Sequence, residues 1–260
     1  MASLPTFFLS HGAPSTVLSD QPVCRYWHAM GREFVDKVDC IIVISAHYER
    51  STLHVTAQQQ PPTIHDFSGF GPALNAVEYS APGAPLLAAR VGDLLRAAGF
   101  PTTQDTSWGF DHGTWVPLIK AFPKARTPVV SLSVLRGDAK LHLEIGRALA
   151  PLRRQRCLII GSGSITHNLG LLAPPMENQR PPPWVKEFLA WLHRSLASAD
   201  TDALLAWDQQ APHAATAHPS DEHLLPFFVA LGAAGENYSA ACVHESLNFG
   251  TLAMNAYRFD

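Results

Sequence analysis

The chain has 260 residues, of which 47% are hydrophobic and 16% charged, with 13 histidines and a formal net charge of −3. Such a composition can bury a substantial core, which excludes an intrinsically disordered chain. It also argues against nucleic acid as a partner, because contacts with phosphates need a surplus of lysine and arginine.

The start of the chain and its cysteines bear on its location. The first ten residues lack the basic start and continuous apolar stretch of a signal peptide, and Pro5 interrupts them. No apolar run approaches the roughly 18–20 residues that a membrane span needs. The four cysteines lie far apart without a Cys-x-x-Cys pair, which favours free thiols. We therefore predict a cytoplasmic protein that does not contact membranes.

Short apolar runs alternate with longer helical patterns along the chain. Buried strands are predicted at 6–9, 40–45, 129–134 and 157–160. Helices are predicted at 23–35, 85–98, 139–152 and 184–196. We expect Gly99 to end the second of these helices and Asp138 to cap the start of the third.

This alternation predicts an α/β fold in which helices flank a mostly parallel central sheet. Towards the end of the chain, 239–243 and 252–259 resemble strands without a helix between them, which predicts antiparallel strands at the sheet edge. The proline-rich stretch at 174–183 is expected to be a long ordered loop, since histidine motifs lie on both sides of it. We predict one layered domain over 1–260.

Five histidines lie in short motifs at turns or strand ends. Imidazole is the commonest transition-metal ligand in proteins and is suited to proton transfer near neutral pH. His11 and His47 each follow a predicted strand, at the end of the sheet where α/β folds bind ligands. His167 follows a third strand and the turn at 161–164, and we interpret it as a ligand or an acid/base group. A metal-dependent enzyme is the leading interpretation.

Two further motif histidines precede helical patterns. His223 stands next to Glu222, and we expect only one of these neighbours to reach a metal. His112 lies in an aromatic loop with glycines, a composition that suits a pocket wall with one polar donor. His65 is a candidate for substrate contact, with a structural role equally open. Three neutral nitrogen ligands would suit Fe(II) or Zn(II), and spacing alone does not choose between them.

These motifs resemble, in order and over nearly the whole chain, the class III extradiol ring-cleaving dioxygenases. The similarity is to the branch that contains plant and bacterial DOPA dioxygenases. The matching segments are 10–14, 45–47, 62–67, 79–83, 108–115, 161–168 and 222–226. The resemblance implies a single α/β domain with a mostly parallel sheet and a long cleft.

The resemblance also assigns roles to the histidines. It places the metal on His11, His47 and His223. It makes His167 the acid/base histidine, which in some resting states is close enough to count as a metal ligand. His112 matches a histidine near the bound catechol and oxygen. The implied cofactor is one divalent metal ion, Fe(II) for ring cleavage or Zn(II) in the isolated form.

The implied partners are a small aromatic diol and dioxygen, bound by a monomer or small homo-oligomer. His65, Asp66 and Trp108 are the predicted substrate contacts. The sequence leaves two alternatives open on the same histidines. One is a zinc-dependent hydrolase, in which the metal acidifies a bound water. The other is a metal-binding protein without enzymatic activity.

One departure from the wider superfamily concerns the third ligand. Protocatechuate-type enzymes complete their metal set with a glutamate, whereas this chain offers His223. A third neutral ligand leaves the metal one charge more positive, which favours zinc. Glu222 would restore a carboxylate if the local helical register allowed it to reach the metal.

Overall fold

Strands and helices alternate along the chain in a computed structural model that describes residues 3–174 and 180–260. The strands are β1 (Thr6–Ser10), β2 (Cys40–Arg50), β3 (Leu53–Thr56), β4 (Thr102–Asp105), β5 (Val129–Leu135), β6 (Cys157–Gly163), β7 (Ala240–His244), β8 (Leu247–Asn248), β9 (Leu252–Ala253) and β10 (Ala256–Phe259). The α-helices are α1 (Pro22–Phe34), α2 (Pro72–Asn75), α3 (Pro85–Ala97), α4 (His112–Ala121), α5 (Ala139–Leu149), α6 (Pro183–Ala197), α7 (Thr201–Leu205), α8 (Trp207–Gln210), α9 (Ala214–Ala217) and α10 (Leu225–Ala234). Short 3₁₀ helices cover Pro14–Leu18, Ala150–Gln155 and Leu169–Leu171.

Eight of these strands form one sheet in the order β4-β3-β5-β2-β6-β1-β10-β7. The four central strands β5, β2, β6 and β1 are parallel to one another. At one edge β10 and β7 are antiparallel, and at the other β3 is antiparallel to β5. The predicted α/β fold, with a mostly parallel sheet and antiparallel strands at the edge, is confirmed. That residues 1–260 form one domain stays a prediction.

The predicted elements agree with the structure to within a few residues at most ends. Asp138 caps α5 by accepting a hydrogen bond from the Leu141 amide at 2.8 Å. Gly99 follows α3 with a φ of +90°, a backbone conformation that glycine adopts most readily. Within the described residues, no helix is long and apolar enough to cross a membrane. The proline-rich stretch lies partly outside the described residues.

The prediction of one continuous strand at 252–259 is wrong. Strand β9 pairs with β8 in a separate two-stranded sheet. The chain then joins the main sheet at β10. Between them, the Met254 amide donates to the Ser246 carbonyl at 2.8 Å, while the Asn255 carbonyl accepts from the Ser10 amide at 3.2 Å. The two residues therefore bond to different partners, which ends one strand and begins the next.

Helix α10 packs very closely on both the sheet and α5, because glycines line the contacts. A Cβ atom on Gly161 or Gly163 of β6 would overlap a backbone carbonyl near the start of α10. On the other side, a Cβ on Gly146 of α5 would overlap the Val229 carbonyl, and one on Gly232 of α10 would overlap a carbonyl of α5. This packing sets how far the start of α10 lies from the end of β6.

We expect Gly146→Ala to lower the free energy of unfolding by about 1–3 kcal/mol, because a methyl group there must push α10 away from α5. Gly92→Ala is the matched control, since it lies in α3, where a Cβ meets the end of the flexible Arg96 side chain. That control should gain up to about 1 kcal/mol from helix propensity. Urea unfolding of both variants measures the difference, and equal midpoints would contradict the close packing.

Candidate active site

Five histidines, each within or near a different strand or helix, meet at the carboxyl edge of the parallel strands. His11 directly follows β1, His47 lies within β2, and His167 stands four residues beyond the end of β6. His112 is the first residue of α4, and His223 lies two residues before α10. The sequence-predicted histidines of the metal and catalytic sets are therefore brought together at one place.

His47 reaches this place from an irregularity in β2. Ser45 lies opposite Ser133 of β5, but Glu49 lies opposite the very next residue, Val134. Residues 46–48 therefore have no partner on β5, and such a bulge bends the strand and redirects its side chains. The apolar pattern predicted that the strand would end at Ser45, whereas β2 continues beyond His47 to Arg50.

The Nε2 atom of His47 lies close to those of His11 and His223. His47 Nε2 is 3.0 Å from His11 Nε2 and 3.3 Å from His223 Nε2. Two nitrogens that each bind one ion at about 2.0–2.1 Å are about 2.8–3.4 Å apart at right-angled or tetrahedral positions. The spacing fits a single metal ion bound between these rings.

Hydrogen bonds at Nδ1 leave the Nε2 atoms free to bind a metal. The Ser162 hydroxyl donates to the Gly113 carbonyl, so it accepts from His11 Nδ1–H, 3.0 Å away. The Glu222 carboxylate accepts from His223 Nδ1–H at 2.8 Å. The rings of His11 and His223 therefore carry the proton on Nδ1 and a lone pair on Nε2. Such partners orient metal-binding histidines and raise their basicity.

The three rings are neutral near pH 7. Burial, with repulsion from neighbouring imidazoles, lowers the pKa of His11 and of His223 well below the usual value. Burial and the nearby His112 lower the pKa of His47 to about 3. Metal ligands must be deprotonated, and neutral imidazole nitrogens suit borderline ions such as Fe(II) and Zn(II). The residues present therefore fit one divalent metal ion.

His167 lies against the face of a candidate ligand. Its ring stacks on His223 with centroids 3.4 Å apart and planes 11° apart. Its Nδ1 is 3.9 Å from the Glu222 carboxylate, and its amide donates to the Ala217 carbonyl at 2.8 Å. Burial lowers the pKa of His167, so this ring is also neutral near pH 7. A neutral imidazole beside the metal position can accept a proton.

His112 is fixed by a carboxylate at the start of α4. Its amide donates to Asp66 Oδ1 at 3.0 Å and its Nδ1–H to Asp66 Oδ2 at 2.9 Å. Its ring lies over His47, with centroids 3.8 Å apart. The buried Asp111 caps the helix by accepting from the Thr114 amide at 3.0 Å. His112 therefore has little freedom to move, and Nε2 is its remaining polar atom.

A cavity of about 450 Å³ opens onto all five histidines. Apart from these rings, its walls are mainly apolar. The large apolar side chains that line it are Phe67, Phe70, Leu169, Leu172, Phe249 and Leu252. A planar aromatic molecule would lie between these walls with its polar edge towards the imidazoles.

The predicted substrate contacts lie behind or beside this cavity. His65 faces a backbone carbonyl 3.0 Å from its Nε2 and lines a different cavity. Asp66 holds His112, and the Trp108 indole donates to the buried Asp111 at 3.1 Å. None of the three lines the cavity on which the histidines open. Their role in substrate binding stays a prediction.

Several residues with a role in this geometry were not predicted from the sequence. The sequence places Ser162 in a turn of small residues, but its bond to His11 depends on the pairing of β6 with β1. Leu169, Leu172 and Phe249 stand in no motif and reach the cavity through tertiary packing. The sequence makes Glu222 a possible metal ligand, whereas in the structure its carboxylate bonds to Nδ1 of the neighbouring His223.

The chain is similar to curated proteins and to a solved structure. A protein from Beta vulgaris named "4,5-DOPA dioxygenase extradiol" is 40% identical over 258 residues, covering 98% of this chain and 96% of its own. An Escherichia coli K12 protein of the same name is 37% identical over 257 residues, covering 96% and 93%. A crystal structure of an uncharacterized protein from Escherichia coli K12 superposes with a TM-score of 0.82 at 32% identity, covering 98% and 99%.

Residues 4–260 match the family described as "Catalytic LigB subunit of aromatic ring-opening dioxygenase". The match covers almost the whole chain, and the relatives share its length as well as its sequence. The class III extradiol resemblance predicted from the motifs is confirmed. The chain belongs to the family of the catalytic LigB subunits of aromatic ring-opening dioxygenases.

Proposed function

We propose that this ring-opening dioxygenase cleaves a catechol next to its two hydroxyl groups, using dioxygen and one Fe(II) held by His11, His47 and His223. The observation that carries the proposal is the convergence of three neutral Nε2 atoms at one end of an apolar cavity. Curated relatives at 37–40% identity are named as extradiol dioxygenases of 4,5-DOPA, which supports a catecholic substrate.

Iron is proposed over zinc because ring opening needs a redox-active centre that binds catechol and dioxygen together, and zinc has no redox chemistry. The protein supplies the neutral ligands and the open cavity beside them. A zinc-loaded form would bind the same histidines without opening the ring.

His167 is proposed as the base that takes a proton from a catechol hydroxyl. It is neutral, lines the cavity and lies against His223. Once protonated, its ring is stabilised by the Glu222 carboxylate, which lies 3.9 Å from Nδ1. The same imidazolium can later return the proton to an oxygen derived from dioxygen as the O–O bond breaks. General acid/base catalysis of this kind contributes about 10²–10⁴-fold in rate.

His112 is proposed as the second polar group that faces the reacting molecule. Asp66 accepts its Nδ1 proton, which fixes the ring and leaves Nε2 for the substrate or dioxygen. Its ring lies against His47, whereas His167 stacks on His223, so the two rings contact different candidate ligands. The substrate edge would then lie between two imidazoles that do not bind the metal.

Oxygen uptake with a small catechol panel tests the proposed reaction. Protein purified without oxygen and reconstituted with Fe(II) should consume dioxygen and form a yellow ring-opened product, whereas protein loaded with Zn(II) should do neither. The matched zinc sample controls for folding and for metal occupancy. Full iron loading without uptake from any catechol would refute the proposal and favour a hydrolase or a binding role.

His11→Ala should lose most of the bound metal, because it removes one of three Nε2 donors. His28→Ala is the control, since His28 is an exposed histidine on α1. Metal content is measured after dialysis by elemental analysis, with circular dichroism to check the fold. Unchanged metal content in folded His11→Ala would contradict its assignment as a ligand.

His167→Ala should keep its metal but lose about 10²–10⁴-fold in kcat, because the base is removed while the three Nε2 donors remain. The measurement pairs the metal content of the variant with its rate of oxygen uptake, beside the same His28→Ala control. Turnover at the rate of the unchanged protein would exclude His167 from the chemistry. Loss of metal would instead make it a ligand.

A further inference from the structure

We infer that this site selects catechols with an uncharged, apolar substituent over those that carry an amino-acid side chain such as DOPA. The inference rests on the proposed function and concerns the part of the cavity beyond the histidines. The cavity walls, the exposed side chains around the cavity mouth and the hydrogen bonds that fix this surface support it.

The described walls of the cavity carry no counter-ion for a charged substituent. Among the lining residues that the structure describes there is no lysine, arginine, aspartate or glutamate. Outside the five histidines, Ser164 is the one polar side chain in this lining, and its hydroxyl already donates to the Thr166 carbonyl at 2.8 Å. A zwitterion would lose water at both of its charged groups without gaining an ion pair, and this is costly.

The mouth of the cavity gathers exposed apolar side chains. Seven large apolar side chains are exposed in the described chain, and three of them line this cavity. They are Phe70 at 43% exposed, Leu169 at 60% and Leu172 at 40%, and the exposed Leu171 is next to Leu172 in sequence. Single exposed apolar residues are common, but a cluster at a cavity mouth marks a binding surface. An apolar substituent of the ring would cover this cluster.

The same surface is fixed by hydrogen bonds before any substrate binds. Phe249 has a φ of +47°, which is rare for a bulky residue and is held only by its surroundings. Its carbonyl accepts from the Ala173 amide at 2.8 Å, and the Thr251 hydroxyl donates to the Leu171 carbonyl at 3.3 Å. The turn between β8 and β9 is thereby bonded to the segment that carries Leu169 and Leu171.

This arrangement predicts how affinity changes with the substituent. Burying one methylene is favourable enough to change an equilibrium constant about fourfold. For 4-methyl-, 4-ethyl- and 4-propylcatechol, kcat/KM should therefore rise about three- to fourfold per methylene. DOPA, dopamine and dihydroxyphenylpropionate have side chains of similar length but carry charge, and each should fall at least about tenfold below 4-propylcatechol.

The experiment measures these compounds in two ways. Initial rates of oxygen uptake by the iron-loaded protein give kcat/KM, and calorimetric titration of the zinc-loaded protein gives Kd without turnover. Preference for 4-propylcatechol in both supports the inference. DOPA equal to or better than 4-propylcatechol in both, or an alkyl series without a trend, would overturn it while leaving the proposed function intact.

Variants of the cavity mouth locate the effect. Leu169→Ala should lower the ratio of kcat/KM for 4-propylcatechol to that for catechol by about three- to tenfold. Leu86→Ala is the matched control, because Leu86 is 88% exposed on α3 and does not line the cavity. An unchanged ratio in Leu169→Ala would overturn the assignment of this surface.

If iron-loaded protein opened no catechol but the zinc-loaded form still preferred 4-propylcatechol, the proposed function would fail and the binding preference would stand.

Discussion

The site depends on burying five imidazole rings in contact with one another while the three candidate ligands and His167 stay neutral. The ring centroids of His167 and His223 are 3.4 Å apart, and those of His47 and His112 are 3.8 Å apart. A second positive charge at such a distance would be repelled by the first. Burial keeps the candidate ligands neutral, but a neutral ring still carries one N–H that needs an acceptor. Ser162 and Glu222 accept the Nδ1 protons of His11 and His223, and Asp66 accepts that of His112. In His11 and His223 the lone pair is therefore on Nε2, the atom that lies near Nε2 of His47, which is the arrangement a cation requires.

Much of this convergence follows from strand ends that can be predicted from the sequence. The apolar runs before His11 and His167 predict parallel strands, and the carboxyl ends of parallel strands lie at one edge of a sheet. The place of His47 was harder to predict, since the bulge at 46–48 exists only relative to the partner strand β5. The place of His223 depends on contact between α10 and two glycines of β6. For that residue the resemblance predicted a role, while the geometry came from packing.

The substrate side of the site was less predictable. Trp108 sits among glycines and aromatic residues, a composition typical of pocket walls, but its indole N–H finds a buried acceptor in Asp111 and its ring stacks on Tyr48. The actual walls come from residues such as Leu169 and Phe249, whose neighbours in sequence do not mark them. Edge strands β3 and β4 were also missed, because four-residue strands carry too little pattern to be separated from loops.

The position of Glu222 changes the argument about charge that follows from a third histidine ligand. From the sequence, replacing a carboxylate ligand by His223 leaves the metal one charge more positive and favours zinc. In the structure the carboxylate is still present, 2.8 Å behind that histidine at Nδ1, where it draws the proton away and makes Nε2 a stronger donor. The same carboxylate lies 3.9 Å from His167, so it can stabilise the proton that a base would receive. A carboxylate bound to the metal would be less free to do so. A carboxylate that accepts from a ligand, and does not itself bind the metal, therefore still strengthens the ligand set. It also stabilises the protonated form of the neighbouring acid/base histidine.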